Sequence, residues 1–202
     1  MYFPFRYSRK IEKQILWILL FLKFGLKKYM NVLDVGCGTA KNLKMFRFKN
    51  YHGIDIDRNR IESNKKNFKN KNITFKESNI TSTDYSITKK YDLVIMIQVM
   101  TNNLFDDNAL CDSILNLINS SSELIIFNTS KSNNSQLKTI DNFLISNNVI
   151  FKKYNYGIPS FLKKIEAPLL SQLIAIIFVL ILIFINNFFN KNKTLYVCKK
   201  NL

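Results

Sequence analysis

A chain of 202 residues is long enough for one α/β domain with a substantial core and too short for two ordinary ones. Lys and Arg number 30 against 14 Asp and Glu, a formal charge of +16; this points to an anionic partner such as nucleic acid or an anionic lipid surface, or else to solvated lysine in a chain that over-uses Lys, Asn and Ile throughout. The single histidine, His52, and the three scattered cysteines, Cys37, Cys111 and Cys198, with no CxxC pair, argue against a zinc site, a disulfide framework and a Ser/His/Asp hydrolase, and they fit a reducing cytoplasm.

The segment from Phe3 to Tyr29 opens with Arg6, Arg9, Lys10 and Lys13, runs through apolar Ile15 to Leu22, and closes on Lys23, Lys27 and Lys28. It lacks the small-residue cleavage site of a signal peptide, and its apolar run is too short to span a bilayer. We read 1–29 as a helix that either packs over the domain or lies in a membrane interface, with Trp17 near the headgroups.

From Asn31 onward short β-branched runs alternate with amphipathic stretches. Strands are expected at Asn31–Val35, Tyr51–Asp55, Ile73–Lys76, Leu93–Met96, Glu123–Phe127 and Val149–Tyr154. Helical patterns lie between them at Lys41–Phe46, Arg58–Phe68, Asp107–Ile118 and Gln136–Ile145, while the polar gap from Asn79 to Lys90 suggests a shortened crossover. Strands apolar on both faces, alternating with helices, imply a Rossmann-like α/β fold, a doubly wound and mostly parallel sheet covered on each side. A last β-like run, Thr194–Cys198, would bring the sheet to seven strands. The expected organisation is therefore an N-terminal helix (1–29), a core (30–156), an apolar insert (157–192) and a last strand with tail (193–202).

The chemistry is concentrated in the run VLDVGCGTA. Asp34, Gly36 and Gly38 fall where a tight strand-to-helix turn must let a ligand touch backbone, because glycine tolerates positive φ and carries no Cβ. An acid closes the next strand in YHGIDID, about 20 positions on, the distance at which a carboxylate can accept from both ribose hydroxyls of a bound nucleoside. A nicotinamide dehydrogenase could carry a similar turn. The acid before the first glycine, the G-C-G-T run and the lack of the longer G-x-G-x-x-G spacing argue against that.

On these residues the sequence resembles the class I S-adenosylmethionine-dependent methyltransferases, over roughly Asn31 to Phe127. The resemblance implies S-adenosylmethionine as cofactor, with Asp34, Gly36 and Gly38 lining its methionine part, Asp55 holding the ribose and Ile56 packing on adenine. It places Asn79 where the family often has an Asp for the adenine amine, Ala40 where the family has a third glycine, and Gln98 at the exit of the fourth strand near the sulfonium. Asp57 falls past the strand end and is the lesser candidate for the ribose acid. Methyl transfer from an activated sulfonium asks mainly for proximity and alignment, so the scarcity of histidine is no obstacle. We read His52 as structural, and we find no metal site and no catalytic base. The chain reads IQVMTNN after the fourth strand, without the [DNSQ]-P-P-[YFW] motif of enzymes that methylate nucleic-acid amino groups.

The nearly unbroken apolar stretch Leu169–Phe189, flanked by Lys163, Lys164, Lys191 and Lys193, reads as a membrane-associating insert or transmembrane helix. If Thr194–Cys198 rejoins the sheet, both ends of the insert lie on one side of the membrane, and a re-entrant hairpin or interfacial helix replaces a straight crossing. If 194–202 is only a tail, the helix can cross. The expected function is methyl transfer to a small, lipid or lipid-linked acceptor at an anionic membrane surface, with the catalytic domain on the cytoplasmic side. The alternatives are an RNA or protein methyltransferase, and a non-catalytic cofactor-binding membrane protein.

Overall fold

The computed structural model describes residues 27–82, 87, 89–97, 99, 106–128, 134–156 and 193–199. Its elements are β1 (Lys28–Val35), a 3-10 turn (Lys41–Lys44), β2 (Arg47–Asp55), α1 (Arg58–Asn67), β3 (Ile73–Glu77), β4 (Tyr91–Ile97), α2 (Asp107–Asn119), β5 (Ser121–Asn128), α3 (Asn134–Ser146), β6 (Ile150–Tyr156) and β7 (Lys193–Lys199). The expected strands are all present. Most are longer by a few residues at their polar ends, and β1 starts at Lys28, inside the segment read as the N-terminal helix.

The seven strands form one sheet in the order β3-β2-β1-β4-β5-β7-β6. From β3 to β5 every pairing is parallel. The doubly wound order is then broken, because β7 enters between β5 and β6 and runs antiparallel to both. Thr194–Cys198 is thus a paired strand and not a tail. Two antiparallel steps leave β6 running in the same direction as β5, so all the parallel strands end at one carboxyl edge, and β7 begins there.

Side chains alternate across the sheet as a strand requires. Val32, Tyr51, Phe75, Leu93 and Ile95 point to one face, where they meet Met45, Phe46 and Ile61. Leu33, Val35, Val94, Met96, Leu124 and Ile126 point to the other, under Leu110, Ile114 and Leu117 of α2 and Ile140 and Leu144 of α3. Asp106 caps α2 by accepting from the backbone N–H groups of Asn108 and Ala109, and Asp57 caps α1 through Arg60.

The expected helix at Lys41–Phe46 is only one turn of 3-10 helix. The reason is reach. The chain must descend from the carboxyl end of β1 to the amino end of β2, a strand length of about 26 Å, in the few residues between Val35 and Arg47. An α-helix rises only about 1.5 Å per residue, so a full helix is not formed, and Met45 and Phe46 seal the sheet from the turn that closes the 3-10 segment. No helix appears among the described residues of the third crossover, as its polar sequence suggested.

Among the described residues no helix is long and apolar enough to cross a membrane. The expected N-terminal helix up to residue 26 and the apolar insert 157–192, including Leu169–Phe189, lie outside the described residues.

Gly53, at the middle of the sheet, is held bare by its neighbours: a Cβ there would stand 2.7 Å from the Phe75 ring and 3.0 Å from Cys37 Sγ. Gly53→Ala should therefore destabilise the fold by about 1–3 kcal/mol, read as a lower denaturation midpoint with an unchanged slope in urea.

Candidate active site

The carboxyl ends of β1 and β2 meet at the turn Gly36–Ala40. Gly36 and Gly38 have φ of 66° and 52°, left-handed values that glycine adopts without strain. At Gly36 a second constraint applies, since a Cβ would fall 2.5 Å from Val99 Cγ2. Ala40 also sits in the left-handed region, with φ 54°, and its methyl is buried; the family's third glycine is thus replaced by a residue that pays backbone strain for packing.

Asp55 ends β2 with its carboxylate at this turn. Oδ2 accepts from the Gly38 N–H at 2.7 Å and Oδ1 from the Asp57 N–H at 2.9 Å. A carboxylate offers about four lone-pair directions, so each oxygen keeps capacity for one more donor, which matches the two hydroxyls of a ribose. Ile56 follows with 56 % of its surface exposed, an apolar face left open beside a polar carboxylate. Asp57, by contrast, is committed to capping α1 and to a 3.0 Å ion pair with Arg60 Nε.

Asp34 faces inward. It is wholly buried, accepts a hydrogen bond from the Tyr51 hydroxyl, and receives the Asn42 amide at 3.2 and 3.3 Å. From within the core it ties β1 to β2 and to the 3-10 turn. Burial raises its pKa to about 7, against the opposing pull of the Tyr51 and Asn42 hydrogen bonds.

Asn79 lies just past β3, but its amide oxygen already accepts from both the backbone N–H (3.1 Å) and the hydroxyl (2.9 Å) of Thr81. That fills both lone pairs of the oxygen expected to accept from an adenine amine. Gln98 lies outside the described residues. His52 is half-buried lower on β2, with Nδ1 2.6 Å from Thr74 Oγ1 and its ring edge-on to Tyr91, a structural setting.

Two residues that the sequence did not single out complete the turn. Asn64, on the buried side of α1, donates to the Gly38 carbonyl at 2.7 Å, and Asn42 holds Asp34. The one signal for Asn64 is its place one helical turn after Ile61 on the inner face of α1, where a buried amide must find a partner. Cys37, which the Asn64 amide approaches at 3.9 Å, has its thiol pushed up to about 12 by burial and by the neighbouring Asp34. No group of metal-binding side chains occurs among the described residues.

A positive-φ glycine turn, a carboxylate facing it with unused acceptor capacity, and an exposed isoleucine next to that acid suit a nucleoside-bearing cofactor. The family comparison decides which one: residues 26–165 match the sequence profile of a methyltransferase domain. The chain belongs to the class I S-adenosylmethionine-dependent methyltransferases.

Solved structures agree at the level of fold. The N-methyltransferase NodS from Bradyrhizobium japonicum WM9, in complex with S-adenosyl-L-homocysteine, superposes with a TM-score of 0.63 at 13 % identity, covering 95 % of this chain and 87 % of that one. The plantazolicin methyltransferase BpumL, bound to a triazolic desmethylPZN analog and S-adenosylhomocysteine, gives 0.54 at 15 % identity, covering 96 % and 85 %. The methyltransferase domain of bacterial CtHen1-C gives 0.60 at 14 % identity, covering 96 % and 98 %. No curated protein matches the sequence. As a methyltransferase the protein takes S-adenosylmethionine as donor, and the reading of the chain as a non-catalytic scaffold gives way.

The buried Asp34 makes stability depend on pH. Its folded pKa of about 7 lies above the ordinary value of 3.8, so its contribution is complete below that lower value and is lost as pH rises through about 7. The full span is on the order of 4 kcal/mol. Urea midpoints should fall between pH 5 and pH 8, and Asp34→Asn, which keeps an acceptor for Tyr51, should flatten that dependence.

Proposed function

We propose that this methyltransferase acts on a small lipid or lipid-linked acceptor at an anionic membrane surface, with its catalytic domain on the cytoplasmic side. The observation that carries the proposal is the pairing of β6 with β7. Tyr156, which ends β6, stands opposite Lys193, which begins β7, at the same sheet edge as the glycine turn and Asp55. The residues that flank the stretch 157–192 are therefore both at the carboxyl edge that carries the glycine turn, which supports this reading.

That pairing also limits how the stretch can meet a bilayer. Only residues 190–192 separate the apolar run Leu169–Phe189 from β7, at most about 14 Å of chain, while the hydrocarbon core is about 30 Å thick. A single straight crossing would drag Lys163, Lys164 and Glu166 through hydrocarbon on the way back. The transmembrane-helix expectation is accordingly revised to a re-entrant hairpin or interfacial helix, which would hold the mouth of the site against the headgroups.

In this reading Asp55 holds the ribose through the acceptor capacity left on its two oxygens. Ile56 lies against adenine, and Gly36 and Gly38 give the methionine part its approach to backbone. Asp34 acts as a positioning residue beneath them. The donor supplies an activated methyl on positive sulfur, and the chain supplies alignment.

Incubating the protein with methyl-labelled donor and separated lipid, RNA and protein fractions of the native cell should put the label in the lipid fraction. Label in RNA or protein would overturn the acceptor assignment. Asp55→Ala should weaken S-adenosylhomocysteine binding by about 100-fold through the loss of two charge-assisted hydrogen bonds, measured by calorimetry. Unchanged affinity would remove Asp55 from the site.

A further inference from the structure

Charge is unevenly divided between the two edges of the sheet. At the carboxyl edge, Asp55, Asp57 and Glu77 offset Arg58, Arg60 and Lys76. At the amino edge, β1, β2, β3 and β4 begin or are preceded by exposed basic residues: Lys28, Arg47 and Lys49 within the strands, Lys71 just before β3, and Lys89 and Lys90 just before β4.

The parallel register sets these residues side by side, Lys28 directly opposite Arg47, on strands about 4.8 Å apart. The two carboxylates nearby are engaged. Asp92 accepts from the backbone N–H groups of Met30 and Asn31 at 2.6 and 2.9 Å. Glu123 faces Lys27 at 3.4 Å and Lys199 at 3.5 Å.

We propose that this amino edge is a docking surface for the phosphodiester backbone of a nucleic acid strand. A row of cations on neighbouring strands about 4.8 Å apart presents the charge a polyanion needs, and each cation there can displace a condensed counterion. The residues between the cations are polar and able to hydrogen-bond phosphate or sugar: Asn31 and Asn50, joined at 3.0 Å, and Asn70 and Asn72 at the turn into β3. Met30 alone among the described residues of this row is a large apolar side chain left half exposed, too little to anchor the row in lipid. The surface has no part in the transfer chemistry and lies at the end of the domain opposite the cofactor turn. Its failure would leave the acceptor proposal standing, and the reverse holds too.

The test is fluorescence anisotropy of a labelled 20-nucleotide oligouridylate with the 202-residue chain across a salt series, beside sedimentation with phosphatidylglycerol vesicles. Binding should weaken steeply with salt, with a log–log slope of about −4 for six neutralised phosphates. The triple variant Lys49→Glu, Lys71→Glu, Lys90→Glu should raise Kd at least about tenfold and halve that slope, with S-adenosylhomocysteine affinity and melting temperature unchanged; Lys152→Glu, on β6, should leave binding as it was. No salt-dependent binding, or equal losses in the triple variant and Lys152→Glu, would overturn the proposal. Vesicle sedimentation abolished by the triple variant, with oligouridylate binding intact, would reassign the edge to lipid and overturn it as well.

Discussion

The two hydrogen bonds accepted by Asp55, from Gly38 and from Asp57, join the first and second strand-to-helix turns, and the site depends on that junction. A loop rich in positive φ has many alternatives, and glycine loses more conformational freedom on ordering than any other residue. The Asp55 carboxylate fixes one amide of the loop from the side, Asn64 fixes the following carbonyl from below, and Cys37 N–H bonds to the Ile54 carbonyl between them. The turn is thus set before any ligand arrives, and the acid that sets it retains unused acceptor capacity. Preorganisation of this kind lowers the cost of binding, because ordering is settled in the fold and not at the moment of association.

Asp34 shows how a motif residue is tied into the core as well as into the turn. Alternation along β1 puts Val32 and Asp34 on the same face, the face sealed by Met45, Phe46 and Ile61, so its carboxyl must enter the core. A carboxylate buried there needs donors. Tyr51 and Asn42 supply them, and in doing so they pull the 3-10 turn onto the sheet. Nothing in the spacing of D-x-G-x-G distinguishes a carboxylate aimed at a ligand from one aimed at the neighbouring strand. The distinction lies in strand parity and in a tyrosine brought alongside by the β1–β2 register.

The same division explains what could be read from sequence. Strand positions were legible because β-branched runs bounded by polar residues have few other uses, and Asp55 with Ile56 was legible because a strand end fixes where the next two side chains fall. The short 3-10 connection was not, since its length is imposed by the descent from β1 to β2 and not by its own helix-like pattern. Asn79 lies just past β3, and Thr81 two residues on donates twice to its amide oxygen in a local turn. Asx turns compete locally with long-range roles, and sequence position alone does not say which prevails.

The antiparallel entry of β7 separates the molecule into two functional halves. The β3-β2-β1-β4 half carries the turn, the acid and the exposed isoleucine, all set by parallel register and therefore insensitive to what happens beyond β5. The β5-β7-β6 half ends in two adjacent strand termini, Tyr156 and Lys193, which accept an insertion of any length without disturbing a single ladder bond, since a segment whose ends are already neighbours adds only a slowly growing loop-closure cost. On the reading proposed above, acceptor preference would change with that insertion while the donor site stays as it is. The two strand termini that bound it lie at the carboxyl edge, the edge at which a donor methyl would meet its acceptor.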